Sequence, residues 1–524
     1  MSDQDTAAAA TEQESAPQPL FSDIALSLSG GGYRAAAFHL GTLALLNELS
    51  LLEDVHSLST VSGGTILAAR YALEISGGGS FQSFEPAVKN FLLNTNVVTA
   101  GMARLGDTLY PNGVRLMPSL IRAAANVYSG PEYGGNKRFS SLVKSPGHLR
   151  EVSFNSTDFL TGTRFRFQFS TQANVASGSK IDIPAAVSEQ IRIADIVAAS
   201  SCFPGGFEPF YFPGDFVWSD LSRIKSQLGK AFPDNIPLMD GGVFDNQGLD
   251  AIDLFLERVN NTTSLVIISD TSKRPGEVFT RPFPKSKRLV PFGFALLATL
   301  IFWTLSLVAT VVLAKDAYSA YYSGSLFLWP VVSRTLFPLL VCMVVGLFMT
   351  GGALLLLWFT PTILKQAGAK GLIRSTRLAV RGVVELLVSR VTSVLKMTTD
   401  VFMNRIRGQG YKSFFARKEL QPILVSNLIY DLDDERRWKN VIPIELQPTK
   451  RLRQLAIDSE RYPTTLGFPD QKSMDDLVEC GHATMCFNLM RHLIRYKSLE
   501  IHDPTAELYH VYKNLTKIWK QVNV

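Results

Sequence analysis

Two turns near the N-terminus indicate the fold class, because each joins an apolar or β-branched run to an apolar stretch that suits a helix. The first spans residues 29–34, contains three consecutive glycines and follows the run Ile24–Leu28. The second spans residues 59–65, reads Ser-Thr-Val-Ser-Gly-Gly-Thr and includes the end of the run Val55–Val61. Turns that lead from a strand into a helix are typical of α/β folds. The sequence therefore predicts two strands that each run directly into a helix.

The second turn has the composition of a nucleophile elbow. A serine oxygen can attack a carbonyl only if it stands on a sharp turn whose small neighbours let the substrate approach. Ser62 is the predicted nucleophile, and Gly63 and Gly64 are its small neighbours in the elbow.

The first turn is predicted to bind the oxyanion that such an attack creates. Consecutive glycines at a helix N-terminus let backbone N–H groups approach the oxygen closely, with the positive end of the helix dipole behind them. Gly31 and Gly32 are the expected donors. A second glycine triplet, at residues 77–79, follows a predicted helix and is interpreted as its stop.

A carboxylate at the end of a third apolar segment, residues 237–246, is the candidate base. In a partly desolvated cleft, the pKa of Asp240 is expected to rise toward a value suited to accepting the serine proton. Asp-Gly is also ordinary turn chemistry, so this assignment depends on the two earlier turns.

These three elements resemble the patatin-like phospholipases, a family of lipid acyl hydrolases that use a Ser-Asp dyad in place of a Ser-His-Asp triad. The family's nucleophile corresponds to Ser62 and its base to Asp240. The family's glycine-rich loop with a following basic residue, which forms the implied oxyanion hole, corresponds to Gly30, Gly31, Gly32 and Arg34. One departure is Thr60, which occupies the first glycine position of the family's Gly-x-Ser-x-Gly elbow.

The resemblance covers about residues 20–270, with softer matches at 155–162 and 199–209. It resumes at 461–466 and 477–483, which are similar to the family's closing helix. The resemblance implies an α/β fold, a three-layer α/β/α domain with a mainly parallel central sheet. The strands expected in this sheet are Ile24–Leu28, Val55–Val61, Phe165–Phe169 and Leu265–Ser269.

Two stretches without charge interrupt the resemblance. Val290–Ala314 contains 25 residues and Thr335–Ile363 contains 29, and neither has an acidic or basic residue. Each exceeds the ~20 apolar residues that span a bilayer. Buried helices of this length without a polar stripe would need a larger core than an insertion can build. The sequence therefore predicts that a transmembrane helical hairpin is inserted into the α/β domain.

Basic residues on the outer sides of this hairpin predict its orientation. They are Lys285, Lys287 and Arg288 before the first span, and Lys365, Lys370, Arg374 and Arg377 after the second. The positive-inside rule then places both flanks in the cytoplasm. We expect a multi-pass integral membrane protein whose catalytic domain and both termini are cytoplasmic, since an odd number of spans would separate the two parts of the domain.

The predicted organisation has six parts. They are a disordered tail at 1–19, the first part of the catalytic domain at 20–275, the hairpin at 285–365, a basic amphipathic helical segment at 370–408, the return to the catalytic domain at 410–500 and a helical tail at 501–524. The amphipathic segment suits either the lipid headgroup layer or packing on the domain.

Charge and cysteine usage limit the expected partners. The net charge is +6, and the basic residues cluster around the predicted spans instead of forming runs typical of nucleic-acid binding. We therefore expect a membrane lipid substrate and an anionic lipid surface, and no nucleic acid. The four cysteines show no metal-binding spacing, and the sequence predicts no metal and no cofactor.

The predicted function is a membrane-anchored serine lipid acyl hydrolase of the phospholipase, lysophospholipase or lipase type. A lipid acyltransferase using the same dyad is one alternative, and a catalytically weak membrane scaffold is another because of Thr60. A nucleotide-binding module is disfavoured, since the glycine turn lacks the P-loop pattern. A triad esterase would need a histidine after the acid, and His482, His492, His502 and His510 follow Asp240.

Overall fold

The computed structural model describes residues 21–109, 111–113, 115–258, 263–274, 292–322, 340, 343–348, 350, 388–394, 396–397, 401 and 403–524. The chain divides into two compact units, one formed by Met1–Pro275 with Arg405–Val524 and the other by Gly276–Asn404. The predicted tail at 1–19 and most of the predicted segment at 370–408 lie outside the described residues.

The first unit is built on a mixed sheet. Its strands are β1 Ile24–Leu28, β2 Val55–Val61, β3 Glu151–Asp158, β4 Thr163–Ser170, β5 Ser177–Gly178, β6 Asp182–Ile183, β7 Phe210–Phe212, β8 Ile236–Asp240, β9 Leu265–Asp270 and β10 Leu424–Leu428. Their order is β10-β9-β1-β2-β3-β4-β5-β6, while β8 pairs with both β3 and β7.

The helices of the first unit follow most strands. Up to β9 they are α1 Gly32–Glu48, α2 Gly63–Ser76, α3 Phe81–Asn94, α4 Val97–Ala103, α5 Leu120–Tyr128, α6 Phe139–Lys144, α7 Ala185–Ser188, α8 Ile193–Ser200, α9 Leu221–Leu228 and α10 Leu249–Arg258. The second unit contains α11 Phe292–Tyr322. From residue 403 onward the α-helices are α12 Met403–Phe415, α13 Lys450–Arg461, α14 Gln471–Tyr496 and α15 Glu507–Val522.

Successive side chains of the central strands are buried alternately in two separate hydrophobic cores. In β1, Leu26 and Leu28 face the larger core, to which α1, α2 and α14 contribute. Ala25 faces a second core formed with α10 and with Phe414 of α12. Because a strand points successive side chains to opposite faces, helices cover both faces of the central sheet, as in a three-layer α/β/α domain.

The sheet is mixed, although a mainly parallel sheet was expected. β10, β9, β1, β2 and β3 are parallel, whereas β4 to β8 pair in antiparallel fashion. The expected strand Phe165–Phe169 lies within β4, which is antiparallel to β3. Only residues 159–162 join these strands, and a parallel crossover needs a dozen residues or more.

One helix among the described residues is long and apolar enough to cross a membrane. It is α11, whose stretch Leu297–Asp316 has a mean hydropathy of 2.2 and no buried part. The second predicted span, Thr335–Ile363, lies mostly outside the described residues. The described residues therefore contain one candidate span, and the multi-pass hairpin is not confirmed and stays a prediction.

Candidate active site

Strand β2, which ends just before Ser62, and strand β8, which ends at Asp240, meet end to end along β3. At the end of β2, Val61 pairs with Asn155. On the next residue of β3, Ser156 pairs with Asp240 at the end of β8. Because β2 and β8 run toward each other along β3, the residue that follows β2 and the last residue of β8 converge.

The backbone at Ser62 adopts a conformation that serine rarely takes. Its φ is 51° and its ψ is −116°, at the junction between β2 and α2. A left-handed φ at a non-glycine residue indicates local strain that the surroundings must hold. The Ser62 residue is 7% exposed. No side chain fits at the next position, since a Cβ on Gly63 would clash with the Gly32 carbonyl oxygen.

A chain of buried hydroxyl groups holds the elbow. The Ser62 N–H donates to Ser200 Oγ over 3.0 Å, and Ser200 Oγ–H donates to the Asn155 carbonyl oxygen over 2.6 Å. The Thr65 hydroxyl lies 2.8 Å from Ser200 Oγ, and the Thr60 hydroxyl lies 2.9 Å from that of Thr65. The Ser200 hydroxyl has one proton, which it donates to the Asn155 carbonyl oxygen. The Thr65 hydroxyl must therefore donate to Ser200 Oγ, and the Thr60 hydroxyl must donate to Thr65 Oγ1.

This chain gives Thr60 a defined place in the elbow. The Thr60 side chain is fully buried, and its hydroxyl bonds across the turn to Thr65. The residue that departs from the family's elbow pattern is therefore a member of the network that reaches the Ser62 amide.

The glycine turn lies directly against Ser62. A Cβ on Gly30 would lie 3.1 Å from Ser62 Cβ and 2.6 Å from Asn246 Oδ1. The Gly30 N–H donates to the Asn246 carbonyl oxygen over 3.0 Å. Gly31 and Gly32 have positive φ values of 147° and 59°, and neither amide donates to a main-chain carbonyl oxygen among the described residues.

Arg34 binds main-chain carbonyls around the glycine turn. Its Nη1 donates to the carbonyl oxygens of Glu460 and Tyr462 over 3.3 and 3.1 Å. Its Nη2 donates to that of Thr271 over 3.0 Å. Burial lowers the Arg34 pKa to about 10, opposed by the nearby negative charges of Asp270 and Glu460. The guanidinium thus remains charged at neutral pH and joins three separate segments.

Asp240 is buried and oriented by its neighbours. Its Oδ1 accepts the Gly242 N–H over 2.7 Å, its N–H donates to the Cys202 carbonyl oxygen over 2.9 Å, and its carbonyl oxygen accepts the Thr157 hydroxyl over 2.8 Å. The residue is 6% exposed. Burial, together with the Asp240 charge, raises the pKa of the Cys202 thiol well above its usual value, so that thiol is neutral beside the carboxylate.

Ser200 and Asn246 belong to this site although sequence reasoning did not single them out. Asn246 Oδ1 lies close to the backbone of both Gly30 and Gly242, since a Cβ on either glycine would come within 2.6 Å of it. Both residues occur in segments that the resemblance includes, residues 199–209 and 237–246. Their partners are remote in sequence, and this is why the pattern alone did not identify them.

Two of the histidines considered for a triad, and also His39 of α1, have other hydrogen-bond partners. His482 Nε2 lies 2.9 Å from Glu48 Oε2, and His492 Nε2 lies 2.9 Å from the Pro422 carbonyl oxygen. His39 lies between the Ser29 carbonyl oxygen and the Ser269 hydroxyl, where burial lowers its pKa to about 4. These contacts fit structural roles for the three side chains.

Comparison with known proteins finds a family match over part of the chain. Residues 26–253 match the sequence model of the family described as patatin-like phospholipase. This match agrees with the resemblance described from the sequence and supports an α/β patatin-like fold for this part of the chain. No curated protein matches the chain.

Solved structures of a human enzyme overlap with part of the chain. Human GIVD cytosolic phospholipase A2 is 15% identical with a TM-score of 0.33, over 48% of this chain and 44% of that chain. The same enzyme in complex with methyl gamma-linolenyl fluorophosphonate is 14% identical with a TM-score of 0.30, over 48% and 41%. The chain thus spans less than half the length of each of these structures.

Proposed function

We propose that this protein hydrolyses carboxylic esters of lipids through Ser62 and Asp240. The observation that carries the proposal is the convergence of β2 and β8 on neighbouring residues of β3. It brings the elbow serine and a buried carboxylate to one edge of the sheet, beside a glycine turn with two available amides.

The first half of the reaction forms an acyl-enzyme. Ser62 Oγ attacks the ester carbonyl carbon while Asp240 accepts the hydroxyl proton. The carbonyl oxygen becomes an oxyanion, which the N–H groups of Gly31 and Gly32 stabilise. When the intermediate collapses, the C–O bond to the alcohol breaks, and Asp240 returns the proton to the leaving oxygen.

The second half releases the acid. Asp240 accepts a proton from water, whose oxygen attacks the acyl carbon and forms a second oxyanion at the same amides. Collapse breaks the bond to Ser62 Oγ, which regains the proton from Asp240, and a free carboxylic acid leaves. The N-termini of α1 and α2 begin at the glycine turn and the elbow, where their dipoles favour negative charge.

Arg34 has a positioning role in this proposal. Its Nη atoms are directed to three carbonyl oxygens, so it holds the glycine turn in register with β9 and α13 instead of donating to the oxyanion. Gly30 has a similar role, since its amide is bonded to Asn246.

The proposal also includes anchoring in a membrane by the insertion. Within the second unit, the Trp303 indole N–H donates to Thr350 Oγ1 over 2.7 Å, and Gly346 lies against the Trp303 ring. Residues 343–348 and 350 are helical. These contacts support a second apolar helix beside α11, as a transmembrane hairpin requires, with anionic lipid as the expected surface for the basic flanks.

Covalent labelling by a fluorophosphonate tests the dyad. We expect the purified full-length protein to be labelled, Ser62→Ala to lose labelling, and Asp240→Asn to react at least about a hundredfold more slowly. Ser201→Ala is the matched control, because Ser201 Oγ donates to the Val197 carbonyl oxygen inside α8. Labelling that persists in Ser62→Ala would exclude the proposed nucleophile. Adding glycerol or lysolipid then separates hydrolysis from acyl transfer.

A further inference from the structure

An exposed apolar row crosses three strands near the candidate site. The Phe159 N–H donates to the Pro237 carbonyl oxygen over 2.8 Å, which extends the β3–β8 ladder by one residue. Pro237 pairs in turn with Tyr211 of β7. Cross-strand partners point to the same face of a sheet, so these three side chains form one row. Leu160 follows Phe159 at the turn.

Three residues of this surface are exposed and Pro237 between them is half-buried, whereas the adjacent pair on the other face is completely buried. Phe159 is 57% exposed, Leu160 61% and Tyr211 42%. Leu238 and Phe210, which form the adjacent pair in the same ladders, are completely buried on the opposite face. Single exposed apolar residues are common, but a contiguous group is typical of an interaction surface.

The row lies at the same end of the strands as the candidate site. Asp240 pairs with Ser156, and Phe159 is three residues further along β3, a distance of roughly 10 Å. The carboxyl ends of β1, β2 and β9 share this edge because these strands are parallel. The chain also leaves β9 at this edge, through Thr271, toward the insertion.

A second turn adjoins the row. The Ser179 hydroxyl donates to Asp158 Oδ2 over 2.9 Å, which ties residues 179–181 to the end of β3. Ile181 is exposed in this turn. Lys180 and Asp182 flank it with opposite charges, so the surface offers apolar contact and little net charge.

We propose that Phe159, Leu160, Pro237 and Tyr211 dock the catalytic unit onto the lipid surface that contains its ester substrate. This proposal rests on the proposed function for the choice of partner, since a lipid ester hydrolase must reach esters held in a lipid layer. Apolar side chains at the end of the sheet near the candidate site, without a cluster of like charges, fit the acyl region of a bilayer or lipid particle.

Depth-dependent quenching tests the docking. Full-length Leu160→Cys protein, labelled with bimane, is reconstituted in phosphatidylcholine vesicles whose acyl chains carry a doxyl group. Leu499→Cys is the matched control: it is 86% exposed and follows α14, whose His492 contacts Pro422 at the opposite edge of the sheet. Unsubstituted protein gives the background. We expect at least twofold stronger quenching at position 160, and equal quenching at the two positions would overturn the proposal.

A kinetic comparison separates docking from catalysis. We expect Phe159→Ser/Leu160→Ser to lower the rate on a phosphatidylcholine vesicle about tenfold and to leave the rate on a soluble short-chain ester unchanged. Leu499→Ser should change neither rate. Equal loss on both substrates would overturn the docking role. An unmodified protein that is inactive on both substrates would contradict the hydrolase proposal, whereas the quenching result would still decide the docking surface.

Discussion

The strained backbone conformation of Ser62 is held by a hydrogen bond from its amide to one side-chain acceptor. Its positive φ costs on the order of 1–2 kcal/mol, and the Ser62 N–H is fixed by Ser200 Oγ. Because a serine oxygen must be held close to its attack position for efficient reaction, a small rotation of this turn would slow the chemistry more than it would weaken binding.

Removal of that acceptor gives the first prediction. We expect Ser200→Ala to lower kcat at least about tenfold while KM changes less than twofold, because the substrate pocket is retained and the nucleophile is displaced. The free energy of unfolding should fall by about 1–3 kcal/mol, since the buried Asn155 carbonyl oxygen loses its donor. Ester hydrolysis and denaturant unfolding measure the two effects. If kcat is unchanged in a destabilised variant, Ser200 contributes to the stability of the fold and not to the positioning of Ser62.

The hydroxyl of Thr60 gives the second prediction. Thr60→Val keeps the branched shape but leaves Thr65 without its donor, and we expect kcat to fall about threefold and the free energy of unfolding by about 1 kcal/mol. Thr60→Ser keeps the hydroxyl bond and should retain kcat within about twofold. If the two variants lose kcat equally, the hydroxyl chain has no part in positioning Ser62.

His39 gives a pH-dependent prediction. Its Nε2–H donates to the Ser29 carbonyl oxygen and its Nδ1 accepts from the Ser269 hydroxyl. Burial lowers its pKa to about 4 from an ordinary 6.5. Its neutral form therefore stabilises the fold above pH 6.5, and this contribution, at most about 3 kcal/mol, is lost as pH falls from 6.5 to 4.

His39→Gln tests this dependence by thermal unfolding across that range. The variant should be less stable at pH 7, and its stability should change less between pH 6.5 and 4 than that of the unmodified protein. His492 also has a pKa lowered to about 4 by burial and will contribute in both proteins. Exposed His502→Gln is the control and should keep the original slope.

The sequence pointed to the candidate nucleophile and base, but not to the residues that hold the nucleophile in place. Ser62 and Asp240 were selected because a small-residue turn and a carboxylate at a strand end are local patterns. Ser200 lies 138 positions from Ser62, and its role arises only when α8 packs beside the elbow. Periodicity and turn chemistry carry no information about such a remote hydrogen bond, so only the fold could assign it.

Among the elements, β3 organises the site, and the sequence predicted this only in part. Strands β1, β2 and β9 were expected at their observed positions, since each is an apolar run bounded by a turn. The antiparallel half was missed, although residues 159–162 are too few for a crossover and could have indicated a hairpin. The pairing of β8 with β3 brings together Ser156 and Asp240, which are 84 positions apart. No local sequence pattern specifies such a pairing.

The crossing of α1 and α14 gives a prediction about element packing. A Cβ on Gly481 would lie 1.9 Å from the Phe38 carbonyl oxygen, so no side chain fits between the helices. We expect Gly481→Ala to lower the free energy of unfolding by about 2–3 kcal/mol. Gly77→Ala is the control, because its Cβ would have no contact closer than 3.4 Å. Chemical unfolding of the full-length protein measures both, and equal effects would contradict this close packing.

For the whole molecule, strand pairing restricts how the insertion can cross a membrane. β9 precedes the insertion and β10 follows it, yet Val266–Asp270 pairs with Leu424–Leu428 in one sheet. Both strands must lie on the same side of any membrane, so the chain between them crosses it an even number of times. If α11 spans a bilayer, a second crossing must occur between residues 317 and 423, and the charge-free run Thr335–Ile363 has the necessary length.

A topology assay tests this requirement directly. A glycosylation acceptor placed after Ser323 should be modified in the lumen of microsomes, because this position lies between the two predicted spans. The same acceptor fused after Val524 should stay unmodified, since the C-terminal part shares a sheet with β9 and we expect this sheet to be cytoplasmic by the positive-inside rule. Modification at both positions would place residue 323 and the C-terminal part on the same side, which contradicts the predicted hairpin with a cytoplasmic domain. Modification at neither would leave α11 on the cytoplasmic side and remove the transmembrane hairpin from the proposed function.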